Sequence, residues 1–145
     1  MKRKWQLFLT ILFSAFILAC SACQKTTENF KAKVVESSES IVVIRVDETD
    51  GNASLYEVMC ALKEQGELNF VSEDSTYGQS IVSINGVENP ADWSSYWVSY
   101  TTDSENGSTG KTVDGVEWYY AMAGISSLKV KAGHSYMFAY EPSSF

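Results

Sequence analysis

The chain has 145 residues, 18 acidic against 11 basic side chains and a formal charge of −7, a length that suits one domain able to bury a real core. An acidic balance of this size repels nucleic acid and anionic headgroups, which excludes them as partners of the folded surface.

The first element is a leader. Lys2, Arg3 and Lys4 precede an apolar run from Leu7 to Leu18, twelve residues long, short of the roughly 20 that cross a hydrocarbon core as a helix. A cationic start, an apolar stretch of this length and small residues after it describe a secretory signal. The stretch Ile17-Leu18-Ala19-Cys20 resembles the bacterial lipobox. In lipoproteins with that motif the cysteine thiol receives a diacylglycerol and cleavage makes it the new N-terminus. The resemblance implies that residues 1–19 are a lipoprotein signal peptide and that Cys20 is the lipid anchor, carrying palmitate-type chains on the extracytoplasmic face of a bacterial cell membrane. Cys23 does not fit, because Cys20 stands three residues before it where an aliphatic residue is wanted. An uncleaved anchor or a non-lipidated signal is the competing reading. Two acyl chains, at ~0.8 kcal/mol per buried CH₂, hold a protein stably on a bilayer. Removal of Lys2, Arg3 and Lys4 leaves eight of the 11 basic residues against 18 acids, a charge of about −10.

Residues 20–40 read as the lipidated cysteine and a flexible tether, rich in Ser, Thr, Lys and Glu with little to bury. A coil of this length reaches about 25 Å, from ~5–6 Å × √20. The domain proper is expected at 41–145. Its first strand is Ile41–Val46, β-branched and closed by the turn-prone TDGN. Next, Ser54 with Glu57 three residues on forms a capping box, Leu55, Val58, Met59 and Leu62 have helical spacing, and Gly66 closes one amphipathic helix. Cys60 within it reads as a small buried hydrophobe, although spacing leaves a Cys23–Cys60 disulfide open. Strands and turns follow: LNFV, QSIVSINGVENP with a turn at Asn85-Gly86, YWVSYTT, a loop with Asn106-Gly107 and Asp114-Gly115, VEWYYAM, LKVKAG and SYMFAYE. One helix after the first strand and then a meander predict a compact α+β domain, the helix laid across a small mixed sheet.

The segments SLYEVMCALKEQG, YGQSIVSINGVENPADWSSYWVSY and GISSLKVKAGHSYMFAYE resemble a bacterial extracellular domain family related to the C-terminal domain of transcobalamin and intrinsic factor. The shared marks are the early helix, the I-N-G turn, a W-x-x-Y strand, a G-I turn and a closing G-x-x-Y-x-F-x-Y strand, over about 100 residues from Ile41 to Glu141. The resemblance implies a β-grasp-like fold and a cell-surface lipoprotein. In the animal relatives the domain forms one wall of a cobalamin site. The family usually has Gly-Asp in its last turn, where this chain has Gly133-His134.

Catalytic signatures are weak, and the chain reads as a non-enzyme with no cofactor of its own. His134, the one histidine, falls in a predicted turn. GSTGKT at 107–112 lacks the leading glycine of a phosphate loop, since Glu105 stands there. The acidic turns DETDGN and DSENG do not have the spacing of a calcium loop. A glycan hydrolase using two carboxylates is the remote enzymatic reading.

The prominent feature is aromatic: Trp93, Tyr96, Trp97, Tyr100, Trp118, Tyr119 and Tyr120 fall within 28 residues. Side chains alternate across a strand, so Tyr96, Val98 and Tyr100 share one face and Trp97 the other. With Trp97 turned to the helix, Tyr96 and Tyr100 face water or a ligand. The expected ligand-binding residues are Trp93, Tyr96, Tyr100, Trp118 and Tyr119, with Trp93 in the turn-like NPADWSS the best single contact. Core packing and cross-strand pairing compete for every ring. The favoured function is a membrane-anchored lipoprotein that binds a small ligand, cobalamin or another corrinoid, and delivers it to a nutrient transporter. The alternative is a protein–protein or adaptor module docking on a transporter, a surface protein or a second copy through its rings and an unpaired sheet edge. For the anchor, cells fed a fatty-acid probe are expected to label the wild-type protein and the Cys23→Ala variant and to spare Cys20→Ala; label on Cys20→Ala removes the lipobox reading.

Overall fold

The computed structural model describes residues 29–144; the leader, Cys20 and Cys23 lie outside the described residues. The first strand begins earlier than composition predicts. Strand β1, Phe30–Ser37, lies in the run assigned to the tether. It pairs antiparallel with β2, Ile41–Thr49. Phe30, Ala32 and Val34 alternate inward onto the core while Lys31 and Lys33 face out. That alternation, hidden in a polar composition, corrects the start of the folded unit from 41 to 30.

Helix α1, Leu55–Glu64, has the predicted cap. The Ser54 hydroxyl accepts from the Glu57 amide at 3.2 Å and the Glu57 carboxylate accepts from the Ser54 amide at 2.7 Å, satisfying two of the donors that a helix start orphans. It buries Leu55, Val58, Met59, Ala61 and Leu62. Cys60 is half-buried, and burial pushes its thiol up from the ordinary range.

The remaining strands are β3 Phe70–Ser75, β4 Gly78–Ile84, β5 Val87–Glu88, β6 Ser95–Thr101, β7 Gly107–Val113, β8 Val116–Ala121 and β9 Ser135–Pro142. They form a six-stranded sheet in the order β1-β2-β9-β6-β8-β7 and a three-stranded sheet β3-β4-β5. Every pairing is antiparallel. This corrects the expected α+β, β-grasp-like class: among the described residues the protein is mostly β, and it is not one helix packed on a small mixed sheet. The physical reason lies in the connections. Asn85 and Asp114 at positive φ, each followed by a positive-φ glycine, close tight hairpins. The helical crossover joins β2 to β3, which sit in different sheets, so it creates no parallel pair.

The central strands β2, β9 and β6 of the large sheet are buried on both faces. Val42, Ile44, Val46, Tyr136 and Phe138 point to α1 and form the main core with Leu62, Ile84 and Trp97. The opposite residues Val43, Val98, Tyr100, Met137 and Ala139 form a second cluster with Trp118, against which Val113 packs. The cover of that second face is the β7–β8 hairpin. It pairs with β6 only at Tyr100↔Tyr120 and Thr101↔Tyr119. Lys111, opposite Trp118, nevertheless ion-pairs with Glu141, which lies opposite Tyr96 at the other end of β6. In a flat sheet those positions are roughly 20 Å apart, so the hairpin folds back across the face. Gly107 and Gly110 permit it, since a Cβ on either would strike Tyr119 or the Trp118 carbonyl.

At the opposite end Asp103 is buried and accepts from Lys131 Nζ at 2.8 Å, Asn106 Nδ2 at 2.7 Å and the Glu105 amide at 3.1 Å. Burial alone would raise its pKa; the Lys131 and amide hydrogen bonds outweigh it and hold the carboxyl below its ordinary value of 3.8. A carboxyl depressed on folding adds stability above its unfolded pKa and loses it as pH falls through the folded one. Asp103→Asn is expected to lower stability near neutrality by about 1–3 kcal/mol and to flatten the loss of stability below pH 3.8. Urea unfolding across pH measures both; an unchanged acid limb removes Asp103 as its source.

Candidate functional site

The site is built where the two sheets fail to join. Asn89, just after β5, stands in for strand pairing between β4 and β6. Its Nδ2 donates to the Ile81 carbonyl at 2.9 Å, its Oδ1 accepts from the Trp97 amide at 3.0 Å, and its own amide donates to the Val82 carbonyl at 2.9 Å. Trp97 Nε1 donates to the Val87 carbonyl and the Tyr140 hydroxyl to the Glu88 carbonyl, completing the seam.

The chain after β8 is drawn away from β6. The carbonyls of Ile125 and Leu128 accept from the amides of Tyr56 and Leu55 in the first turn of α1, donors that a helix start leaves free. The result is an open groove of about 460 Å³ between Gln79–Ile81 of β4, Tyr96–Ser99 of β6 and residues 121–125, with Trp93 and Met122 exposed beside it. Among the described residues none that lines it is charged, in a chain whose formal charge is −7.

Trp93 is held out deliberately by its local backbone. It sits at φ 55° with its amide donating to the Pro90 carbonyl at 3.0 Å, and the next amide, Ser94, donates to the Asp92 carboxylate at 3.0 Å. A left-handed backbone costs roughly 1–2 kcal/mol in a non-glycine residue, and here it leaves an indole 60% exposed. Tyr96 lines the groove, half-buried against the second cluster.

The expected single platform of rings is corrected. Tyr100 and Trp118 are buried in the second cluster, under the folded-back hairpin. The Tyr100 hydroxyl donates to Glu141 at 2.9 Å, its ring lies 4.2 Å from Lys111 Nζ, and it meets Tyr120 edge-on at 5.9 Å. Burial first and the Glu141 carboxylate second push the phenol well above its ordinary range. Tyr119 points to the other face, packs on the glycines of β7 and donates to Glu117 at 3.0 Å. Trp93 and Tyr96 are therefore the two of the five that line the groove. His134 contacts the Thr102 hydroxyl at 3.2 Å, and the 107–112 run is part of β7, remote from any phosphate-loop geometry.

Sequence reasoning missed Asn89, Ser80, Ser99 and Met122. Asn89 lies in the turn-like VENP, and nothing local signals that its amide bridges two sheets. The chain matches neither a known protein-family model nor a curated protein.

Asn89→Ala strands the Trp97 amide and the Ile81 carbonyl, so thermal and urea unfolding are expected to show a loss of about 2–3 kcal/mol. Asn89→Asp keeps the acceptor for Trp97 and is expected to lose less. Equal losses for the two variants would show that the Trp97 bond contributes nothing.

Proposed function

We propose that this protein is a lipid-anchored, extracytoplasmic binding protein that holds a small uncharged ligand in the groove and hands it to uptake machinery. The observation that carries the reading is an uncharged groove beside an exposed Trp93 held out at a backbone cost. Its volume, about 460 Å³, falls within the range of small-ligand sites, ~300–1,000 Å³. Trp93, Tyr96, Ser80 and Ser99 are among the residues that line it and bring aromatic surface together with neutral polar side chains. A ring face with nearby neutral donors and acceptors suits a flat ligand with polar edges. A corrinoid is the ligand favoured by the resemblance to the transcobalamin-type domain, and the resemblance of Ile17–Cys20 to a lipobox supports a location where nutrients are captured.

Titration with cobalamin and with cobinamide is expected to quench tryptophan fluorescence. Replacing Trp93 by alanine is expected to weaken binding about tenfold, equivalent to about 1.4 kcal/mol. Absence of quenching by either corrinoid at high micromolar concentration removes the corrinoid assignment.

A further inference from the structure

We propose that the end of the domain carrying Asn29 rests on the lipid headgroups of the membrane that holds the anchor, so that the groove opens outward, away from the bilayer. The inference rests on the lipid-anchored reading above and is independent of which ligand the groove takes. Asn29 immediately precedes β1, and its carbonyl and side chain are both tied to Asp50. Phe30 pairs with Thr49 at the end of β2, four residues past the Arg45↔Ser135 pair. From Ser135, β9 runs seven residues more to Pro142, which pairs with Ser95. Those eleven steps of strand, at about 3.3 Å each, place Ser95 roughly 36 Å along the sheet from the point where the chain enters, with Trp93 beyond it. Cys20 stands nine residues before Asn29, a separation that spans at most about 32 Å however the chain runs. A lipid at Cys20 therefore does not let the domain stand on its groove end with Asn29 uppermost. Upright and side-lying poses remain.

Charge decides between them. Around the Asn29 end, Lys31, Lys33, Arg45, Lys129 and Lys131 stand among Asp47, Glu48, Asp50, Glu57, Asp103 and Glu105, close to balance. The Gly133 amide on the Val46 carbonyl and the Thr102–His134 contact hold the Lys131 and Asp103 loops at this end. Lys31 pairs with Glu48, Lys33 and Arg45 with Asp47, and Lys131 with Asp103 and Glu105. Around the groove end, Glu39, Glu88, Asp92 and Glu141 are set against Lys111. Glu39 belongs to that end because the neighbouring Ser40 carbonyl accepts from the Tyr140 amide. An anionic headgroup layer repels the groove end and is nearly indifferent to the other. Screening limits the effect to about 10 Å at 0.1 M salt, so what counts is which end lies against the surface. Chain length excludes the inverted pose, and repulsion lifts the groove end out of the side-lying one. Trp93, a side chain suited to a bilayer interface, is thereby kept for the ligand, and a recipient collects that ligand from the outer side of the domain.

The test uses the full lipidated protein in phosphatidylcholine vesicles that contain a lipid with a nitroxide on its headgroup. One fluorophore is placed on Ser104→Cys or on Ala91→Cys, both at exposed positions, in a Cys23→Ala, Cys60→Ala background. Quenching is expected to be several-fold stronger at residue 104 than at residue 91. Glu48→Cys and Glu39→Cys, exposed at the same two ends, are a second pair with the same expected order should a member of the first fail to fold. Replacing part of the phosphatidylcholine by phosphatidylglycerol is expected to widen the difference at low salt and not at high salt. In those anionic vesicles Glu39→Lys with Glu88→Lys is expected to raise quenching at residue 91 several-fold. Protein that fails to float with the vesicles overturns the anchor reading and the orientation with it. Protein that floats with residue 91 quenched as strongly as residue 104, or more, overturns the orientation and leaves the anchor standing. Quenching at residue 91 that the charge reversal does not move overturns repulsion as the force that lifts the groove end.

Discussion

Strand β6 is hydrogen-bonded along its whole length to β9 and at only two residues to β8, and the other features follow from that asymmetry. Had β8 continued beside β6 toward Ser95, the sheet would have closed over the groove and the hairpin could not have folded back. The departure of the chain after Ala121 is set by α1. Its first-turn amides capture the Ile125 and Leu128 carbonyls, and a helix start must satisfy such donors somewhere. A helix cap more than fifty residues away in sequence thus opens the site.

The hairpin that leaves β6 has a second consequence. By crossing the outer face it buries Val43, Val98, Met137 and Tyr100, which would otherwise form an exposed apolar patch. The Lys111, Glu141 and Tyr100 contacts lock it there: the carboxylate accepts from both partners, and the ammonium lies over the phenol ring. Each group is half-buried or better, so the polar contacts are shielded from water and direct the register of a hairpin that apolar packing alone would leave free to slide. Aromatic residues in this protein are divided between that structural use and the groove, according to which side of the hairpin they occupy.

The groove combines rigid walls with a seam made of one side chain. Asn89 supplies the acceptor and donor that a strand would, over the width of a single residue. Small-molecule capture would draw on the uncharged lining and on Trp93 and Tyr96 at its rim. An acidic surface surrounding a neutral groove disfavours anionic occupants.

Much of the local structure was legible from residue order. The capping box at Ser54 and Glu57, the period of Leu55, Val58, Met59 and Leu62, and the turns at Asn85-Gly86 and Asp114-Gly115 depend on neighbours a few residues apart, and the alternation of rings along β6 and β8 does too. The same alternation in Phe30, Ala32 and Val34 was present but masked by the lysines and glutamates between them. Fold class and site were not legible, because they depend on which strand lies beside which and on what covers each face. Trp97 and Tyr100 alternate as expected, yet whether the Tyr100 face meets solvent or a hairpin is decided by residues 107–121, which carry no local sign of folding back beyond two glycines. Periodicity assigns a side chain to a face; only the tertiary arrangement, through long-range hydrogen bonds such as those of Asn89 and Leu128, decides whether that face is core, groove or surface.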